Sequence, residues 1–312
     1  MITMWQRFGG LKLGLAFWLV MNCVLYETAT AQNPSTPSPA AETGWLDHWR
    51  LSTFSFGTVE QQNGRDFFRV IGTGVVMASD PQTGYFVTAK HVFDDPEKQW
   101  HPKQLRLRFT WQERQSVYDY LGTTLDLFDT SGKQLWAASE DGADIAAIPI
   151  SLTDLGLKTG VEPHGVFTSD ISPSQDMYEG ATVVVLGYPG IVGNEYLVRS
   201  IIRSGIIAWL NPDDPYGKPL LIDANIYPGN SGGPVVRIPT GLTKQGGFNV
   251  GGRPTLLGIV SKAPGVEQDF SLQVPGAPLP LHLKLNIPLG GTGVIEPAQK
   301  IPAILKRLAG AR

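Results

Sequence analysis

Thiols are almost missing from this 312-residue chain: Cys23 is the only cysteine, so no internal disulfide can form and the fold must be held by its core alone. Charge is sparse as well. Lys and Arg number 25 against 28 Asp and Glu, a net charge of −3, and nothing in that balance calls for nucleic acid or anionic lipid as a partner. Apolar runs long enough to cross a membrane are lacking, helical periodicity is scarce before the final residues, and no His or Cys cluster has metal-ligand spacing. Neither a metal nor an organic cofactor is therefore expected.

What is present begins with a leader. Arg7 and Lys12 precede a 14-residue run from Leu13 to Tyr26 that is nearly all apolar, and Ala29-Thr30-Ala31 has the small-x-small form of a cleavage site. The run is short of a span and contains Asn22, which predicts a signal peptide over 1–31, cleavage before Gln32, and no stable membrane anchor afterwards. Cys23 follows Val20-Met21-Asn22, without the small residue that a bacterial lipoprotein cysteine follows, so a mature chain without any thiol is expected. Residues 32–44, with Pro34, Pro37 and Pro39 among Ser, Thr and Ala, read as a solvated linker. The folded domain is expected over 45–312, in an extracytoplasmic compartment, periplasmic or secreted.

Within that domain, short stretches rich in β-branched and aromatic residues alternate with Gly, Pro, Asn and Asp. Strands are predicted near 51–60, 66–78, 84–92, 104–111, 123–129 and 143–149, then near 182–188, 196–210, 219–224, 234–238, 255–262 and 281–288. Twelve strands in two sets predict an all-β protein of two six-stranded antiparallel barrels, about 51–160 and 175–295. Ala298, Ile301, Ile304, Leu305 and Leu308 recur at helical spacing and predict a C-terminal α-helix over about 297–309. Trp45, Trp49, Phe54 and Phe56 could pack on a barrel or on another subunit, which leaves the oligomeric state unread.

The densest chemical signal is Gly229-Asn230-Ser231-Gly232-Gly233-Pro234. A hydroxyl flanked by glycines sits on a turn where backbone N–H groups can converge on the space beside it, as an oxyanion hole requires. Serine is a weak nucleophile at its own pKa and needs a base, and the base needs an orienting group. Of the five histidines, His91 has the suitable setting, closing the apolar strand Tyr85-Phe86-Val87-Thr88-Ala89-Lys90-His91-Val92. Asp144, in Asp141-Gly142-Ala143-Asp144-Ile145-Ala146, enters an apolar strand where a carboxylate needs a donor, and a His Nδ1–H would serve. Asp141 fits a turn that bonds its own backbone.

These residues, with Gly72-Thr73-Gly74-Val75-Val76, Leu186-Gly187-Tyr188-Pro189 and Asp223-Ala224-Asn225, resemble the trypsin-like, chymotrypsin-fold serine proteases, and among them the HtrA-type and bacterial glutamyl-endopeptidase-like branches. The order His, Asp, Ser is that class's order. The resemblance implies a serine endopeptidase acting on protein or peptide substrates. Ser231 would be the acylated nucleophile, His91 the base and later the acid, and Asp144 the group that fixes the imidazole tautomer. The N–H groups of Gly229 and Ser231 would hold the oxyanion. Asn225, Ile226, Tyr227, Ile259, Val260 and Ser261 would line the pocket for the side chain before the scissile bond. Asn225 stands where trypsin-like enzymes carry an acid for Lys or Arg, which favours a small or medium apolar side chain.

Three departures qualify the likeness. Asn230 replaces the acid that pairs with a freshly cut N-terminus in digestive members, Lys90 replaces a small or apolar residue before the histidine, and the PDZ domain that HtrA-type proteins add is not expected here. Two other readings compete with the peptidase. Gly229-x-Ser231-x-Gly233 also fits the nucleophile elbow of an α/β-hydrolase esterase, although that elbow needs a helix straight after the serine and a histidine later in the chain. Alternatively, the fold could persist as a catalytically silent binding module, a pseudoprotease. The run from Pro264 to Pro280 would be a lid, a recognition loop or a surface insertion.

Overall fold

The computed structural model describes residues 44–62, 64–79, 83–114, 117–159, 164–191, 198–272, 281–288 and 291–310. The predicted signal peptide and most of the linker lie outside the described residues. Among the described residues, no helix is long and apolar enough to cross a membrane.

A short helix α1 (Trp45–Leu51) leads into strands β1 (Thr53–Gln62), β2 (Arg65–Ala78) and β3 (Thr83–Thr88). After the one-turn helix α2 (Lys90–Phe93) come β4 (Gln104–Arg114), β5 (Val117–Asp126), β6 (Ala137–Ala138) and β7 (Ala146–Ser151), then helix α3 (Leu152–Thr159) and β8 (Val166–Phe167). The second half holds β9 (Thr182–Gly187), β10 (Ile201–Trp209), β11 (Leu220–Asp223), β12 (Pro234–Arg237), β13 (Thr240–Leu242) and β14 (Phe248–Val250). It ends with β15 (Thr255–Lys262), β16 (Gly265–Leu272), β17 (Leu281–Pro288), β18 (Thr292–Pro297) and helix α4 (Ile301–Gly310).

Strands β9, β10, β11, β18, β15 and β12 close an antiparallel barrel, the second of the two expected. The first half is a curled sheet in the order β5-β4-β1-β2-β3-β7-β6, with β8 added in parallel to β2. Together they make the two-barrel, all-β architecture with a C-terminal helix. The β1/β4 register sets Phe54 opposite Phe109, and the rings of Phe54, Phe56 and Phe86 pack 4.5–4.9 Å apart in the interior of the first sheet. Val183, Val185, Ile222, Val235 and Leu257 fill the closed barrel. A third core lies in the seam, where Val75, Val87 and Ile145 of the first half meet Leu186, Val236 and Ile259 of the second. Trp49 of α1 and Ile301, Ile304, Leu305 and Leu308 of α4 complete it, so both terminal helices fasten the two halves together.

Two expectations are revised. Residues 281–288 are a strand, yet they pair with 265–272 in a separate hairpin rather than closing the barrel. The sixth barrel strand is β18, which the sequence hides between Gly293 and Pro297; a Cβ on Gly293 would come within 2.5 Å of Ile226 Cγ1, so the position must stay bare to pack. Half of the predicted Pro264–Pro280 loop is therefore the regular strand β16, and residues 273–280 lie outside the described set.

Candidate active site

His91 does not close a strand. The β2/β3 ladder stops at the pair Gly74 and Thr88, where Thr88 Oγ1 donates to the Thr73 carbonyl at 2.6 Å, and Ala89 then turns the chain into α2. Asp94 N–H reaches the Lys90 carbonyl at 3.0 Å, so His91 rides on a closed helical turn whose Val92 and Phe93 are anchored in the core. The expected base is thus carried by a helical turn rather than by the end of a strand.

Asp144 lies in the bend just before β7. Its Oδ2 is 2.8 Å from His91 Nδ1, its Oδ1 accepts the His91 backbone N–H at 3.0 Å, and Ser261 Oγ donates to Oδ2 at 2.7 Å. Burial alone would push this carboxyl up, but the hydrogen bond and charge of His91, with the Ser261 hydroxyl, outweigh it and hold it below the usual carboxylate value. A carboxylate only accepts, so the short contact puts a proton on Nδ1 and leaves Nε2 as the basic nitrogen. Asp141 accepts Ala143 N–H at 3.0 Å and is drawn down to about 2 by Lys300, with Ser139 and Ala143 adding to the effect.

The turn that carries Ser231 is held from both halves. Thr73 of β2 donates its N–H to the Ser231 carbonyl at 2.7 Å and its Oγ1 to the Gly229 carbonyl at 2.7 Å. On the other side, Gly232 N–H donates to Val260 at 2.7 Å, and Val260 N–H donates to Gly233 at 2.9 Å. The Pro228 carbonyl accepts Gly190 N–H at 2.8 Å and the Asn230 carbonyl accepts Gly233 N–H at 2.8 Å. In a trans peptide the N–H opposes the C=O, so Gly229 N–H and Ser231 N–H point away from those partners. Neither of them donates to a protein acceptor among the described residues. Gly229 holds φ at 94°, a conformation that a side chain would oppose. Asn230, fully buried, pairs neither of its amide atoms among the described residues, and being neutral it offers no ion pair to an N-terminus.

Ser231 Oγ donates to the Ser261 carbonyl at 3.1 Å. Ser261, expected in the pocket wall, therefore touches both chemical partners: its carbonyl takes the serine hydroxyl while its own hydroxyl holds Asp144. Of the other expected pocket residues, Ile226 and Val260 are inside the barrel and Ile259 is in the seam core. Asn225 is exposed and Tyr227 half-buried, with Arg203 stacked on the Tyr227 ring at 5.0 Å. Thr73 and Glu296, whose Oε1 accepts Asp144 N–H at 3.3 Å, escaped sequence reasoning, although Thr73 lies inside the quoted Gly72-Thr73-Gly74 motif. Ser231 is followed by strand β12, not by a helix, which removes the nucleophile-elbow reading.

The pattern of the trypsin-like peptidase domain matches residues 72–242, more than half of the chain. The chain belongs to the trypsin-like peptidases. It is also similar to the HtrA-like serine protease of Staphylococcus aureus strain USA300, at 28% identity over 177 residues, which is 53% of this chain and 18% of that protein. The same protein in the bovine strain RF122 is 29% identical over 177 residues. The chain thus spans less than a fifth of the length of these curated relatives. Among solved structures, an inactive-form serine-to-alanine mutant of Rv3671c from M. tuberculosis H37Rv is 15% identical with a TM-score of 0.42, covering 90% of this chain and 98% of that one.

In this trypsin-like peptidase, His91 on α2 and Asp144 in the bend before β7 belong to the first half, while Ser231 on the turn before β12 and Ser261 in β15 belong to the second. Among the described residues, no group of three or more His, Cys, Asp or Glu is arranged to hold a metal ion.

Proposed function

We propose that the protein is a serine endopeptidase that cleaves protein or peptide substrates through an acyl-enzyme on Ser231, and that it works outside the cytoplasm once the leader over 1–31 is removed. The observation that carries this reading is the chain of contacts from the His91 imidazole through the Asp144 carboxylate to Ser261 and on to the Ser231 hydroxyl.

In the reaction, Ser231 Oγ turns about its Cα–Cβ bond from the Ser261 carbonyl to Nε2 of His91 and gives up its proton as it attacks the scissile carbonyl. The imidazolium that forms is stabilised by Asp144, which stays ionised. Negative charge on the former carbonyl oxygen is met by the N–H groups of Gly229 and Ser231, already freed by the orientation of their peptides. His91 then protonates the leaving amine, and a water activated by the same nitrogen releases the acid. No metal or cofactor enters the scheme.

Asn225 supplies no charge for a basic side chain, so the substrate class proposed is one with a small or medium apolar residue before the cut. Incubating unfolded casein and a peptide library with wild type and Ser231→Ala is expected to give cleavage only with wild type, at sites following small or apolar residues. Equal cleavage by both proteins contradicts the mechanism, and cleavage after Lys or Arg contradicts the pocket.

One observation favours a second reading, that of a silent binding module. In this structure the serine hydroxyl is spent on a carbonyl rather than on the imidazole. A folded protein that is never labelled by a fluorophosphonate would support that alternative.

A further inference from the structure

Behind Asp144, away from the imidazole, lies a carboxylate that the scheme above does not use. Glu296 is the penultimate residue of the barrel strand β18 and is 5% exposed. Its Oε1 accepts the Asp144 backbone N–H at 3.3 Å, and its Oε2 lies 3.6 Å from Lys300 Nζ. Lys300, itself largely buried, pairs with Asp141 at 2.9 Å, and Asp141 also accepts Ser139 Oγ at 2.7 Å. Burial pushes the Glu296 carboxyl up, and the Asp144 N–H and the Lys300 ammonium offset this only in part.

Burying a carboxylate is costly, and an apolar residue of similar size would have been cheaper here. It would, however, leave the Asp144 N–H without an acceptor in a half-buried bend that belongs to no ladder. The Asp144 carboxylate takes three hydrogen bonds on its two oxygens, so its height under the imidazole is set by where its own backbone stands. Among the described residues that N–H donates only to Glu296, in the opposite half of the molecule and 152 positions later in the chain.

We propose that Glu296 is a positioning residue: by accepting the Asp144 N–H it fixes the Asp144 carboxylate beneath His91, and Lys300 holds Glu296 in place from the single turn that leads into the C-terminal helix. This couples the barrel and α4 to the alignment of a pair that lies in the other half. The inference rests on His91, Asp144 and Ser231 acting as a triad.

Two variants of matched size separate the roles. Glu296→Gln keeps an acceptor oxygen and removes the charge, whereas Glu296→Met keeps the length and offers no comparable acceptor. Turnover of a peptide substrate, melting temperature and the low-field proton resonance of the His91 Nδ1–H would be measured for both beside wild type and Ser231→Ala. Glu296→Gln is expected to stay within about threefold of wild type with its resonance retained. Glu296→Met is expected to lose roughly 10–100-fold in kcat at nearly constant KM, with the resonance shifted or broadened in a protein that still melts cooperatively.

Wild-type turnover in Glu296→Met with an unchanged resonance overturns the proposal. So does an equal fall in both variants, which would mean that charge, not the acceptor, matters. Should Glu296→Met fail to fold, Lys300→Met decides, since loosening the hold on Glu296 must shift the same resonance; an unshifted signal with full turnover overturns the idea. Failure of the triad reading itself shows separately, as a wild type that hydrolyses nothing while its His91 resonance still responds to Glu296.

Discussion

His91→Ala is expected to lower turnover on the order of 10⁴-fold while leaving the fold intact, and Asp144→Asn to come close to it, by analogy with the corresponding changes in trypsin itself. The two losses have different causes. Without the imidazole there is no base for Ser231. With asparagine at 144, the amide can present its N–H to Nδ1, which would place the ring proton on Nε2 and aim it at the serine. Asp144→Asn also loses the charge that stabilises the imidazolium, while the bonds from His91 N–H and Ser261 Oγ still have one oxygen to share. Circular dichroism should match wild type and melting should stay cooperative for both, because neither side chain belongs to the apolar cores, although losing the His91–Asp144 interaction lowers Tm. The effects should not add in the double variant, since the three groups act as a unit. Additive losses would argue that His91 and Asp144 serve separate purposes.

The second large effect is expected from a residue with no side chain. Gly232 holds φ at 86°, and a Cβ there would stand 2.0 Å from Thr88 Oγ1 and 2.1 Å from the Thr73 carbonyl oxygen. The carbonyl cannot give way without moving β2, and Thr88 cannot move without pulling Ala89 and the helical turn that carries His91. Gly232→Ala should therefore cost at least about 3 kcal/mol from the left-handed backbone and the overlap together, lowering Tm by roughly 6–12 °C. Gly246→Ala is the control. Its φ is 82° but nothing lies within 4 Å of the added Cβ, so it should show the backbone cost alone. Thermal melts of the two variants, with turnover measured well below both transitions, would separate stability from alignment. Equal Tm shifts at 232 and 246 would mean that the seam around Thr73 yields more easily than its packing indicates.

How much of this was legible in the sequence follows from the range of each interaction. The nucleophile turn is local: its glycines, its serine and the proline that begins β12 are consecutive, so the pattern can be read directly. The histidine and aspartate are legible through their apolar strand contexts, although His91 sits on a helical turn, because the β2/β3 ladder ends at Gly74 and Thr88 and Ala89 turns the chain into α2. Ser261 could be placed next to the nucleophile but not given its partner, since Asp144 lies 117 positions away. Thr73 and Glu296 act across 156 and 152 positions, where neither composition nor periodicity carries a signal. The sixth barrel strand was missed for a local reason. Gly293 and Pro297 read as punctuation, while the better alternation at 281–288 belongs to a hairpin outside the barrel.

Ser261 also alters how the resting site is understood. With Oγ of Ser231 on its carbonyl and its own hydroxyl on Asp144, it links those two side chains without passing through His91. Under the proposed mechanism the serine hydroxyl leaves that carbonyl for the imidazole, and the Asp144 contacts with His91 and Ser261 do not involve it.

The central claim is that Ser231 becomes nucleophilic through His91. The most direct measurement is labelling by a fluorophosphonate followed by mass spectrometry of intact protein and of its peptides, on wild type, Ser231→Ala and His91→Ala. A single adduct is expected on the peptide containing Ser231 in wild type, none in Ser231→Ala, and labelling slowed by orders of magnitude in His91→Ala. Labelling of His91→Ala at the wild-type rate, or an adduct on any other hydroxyl, would contradict that claim.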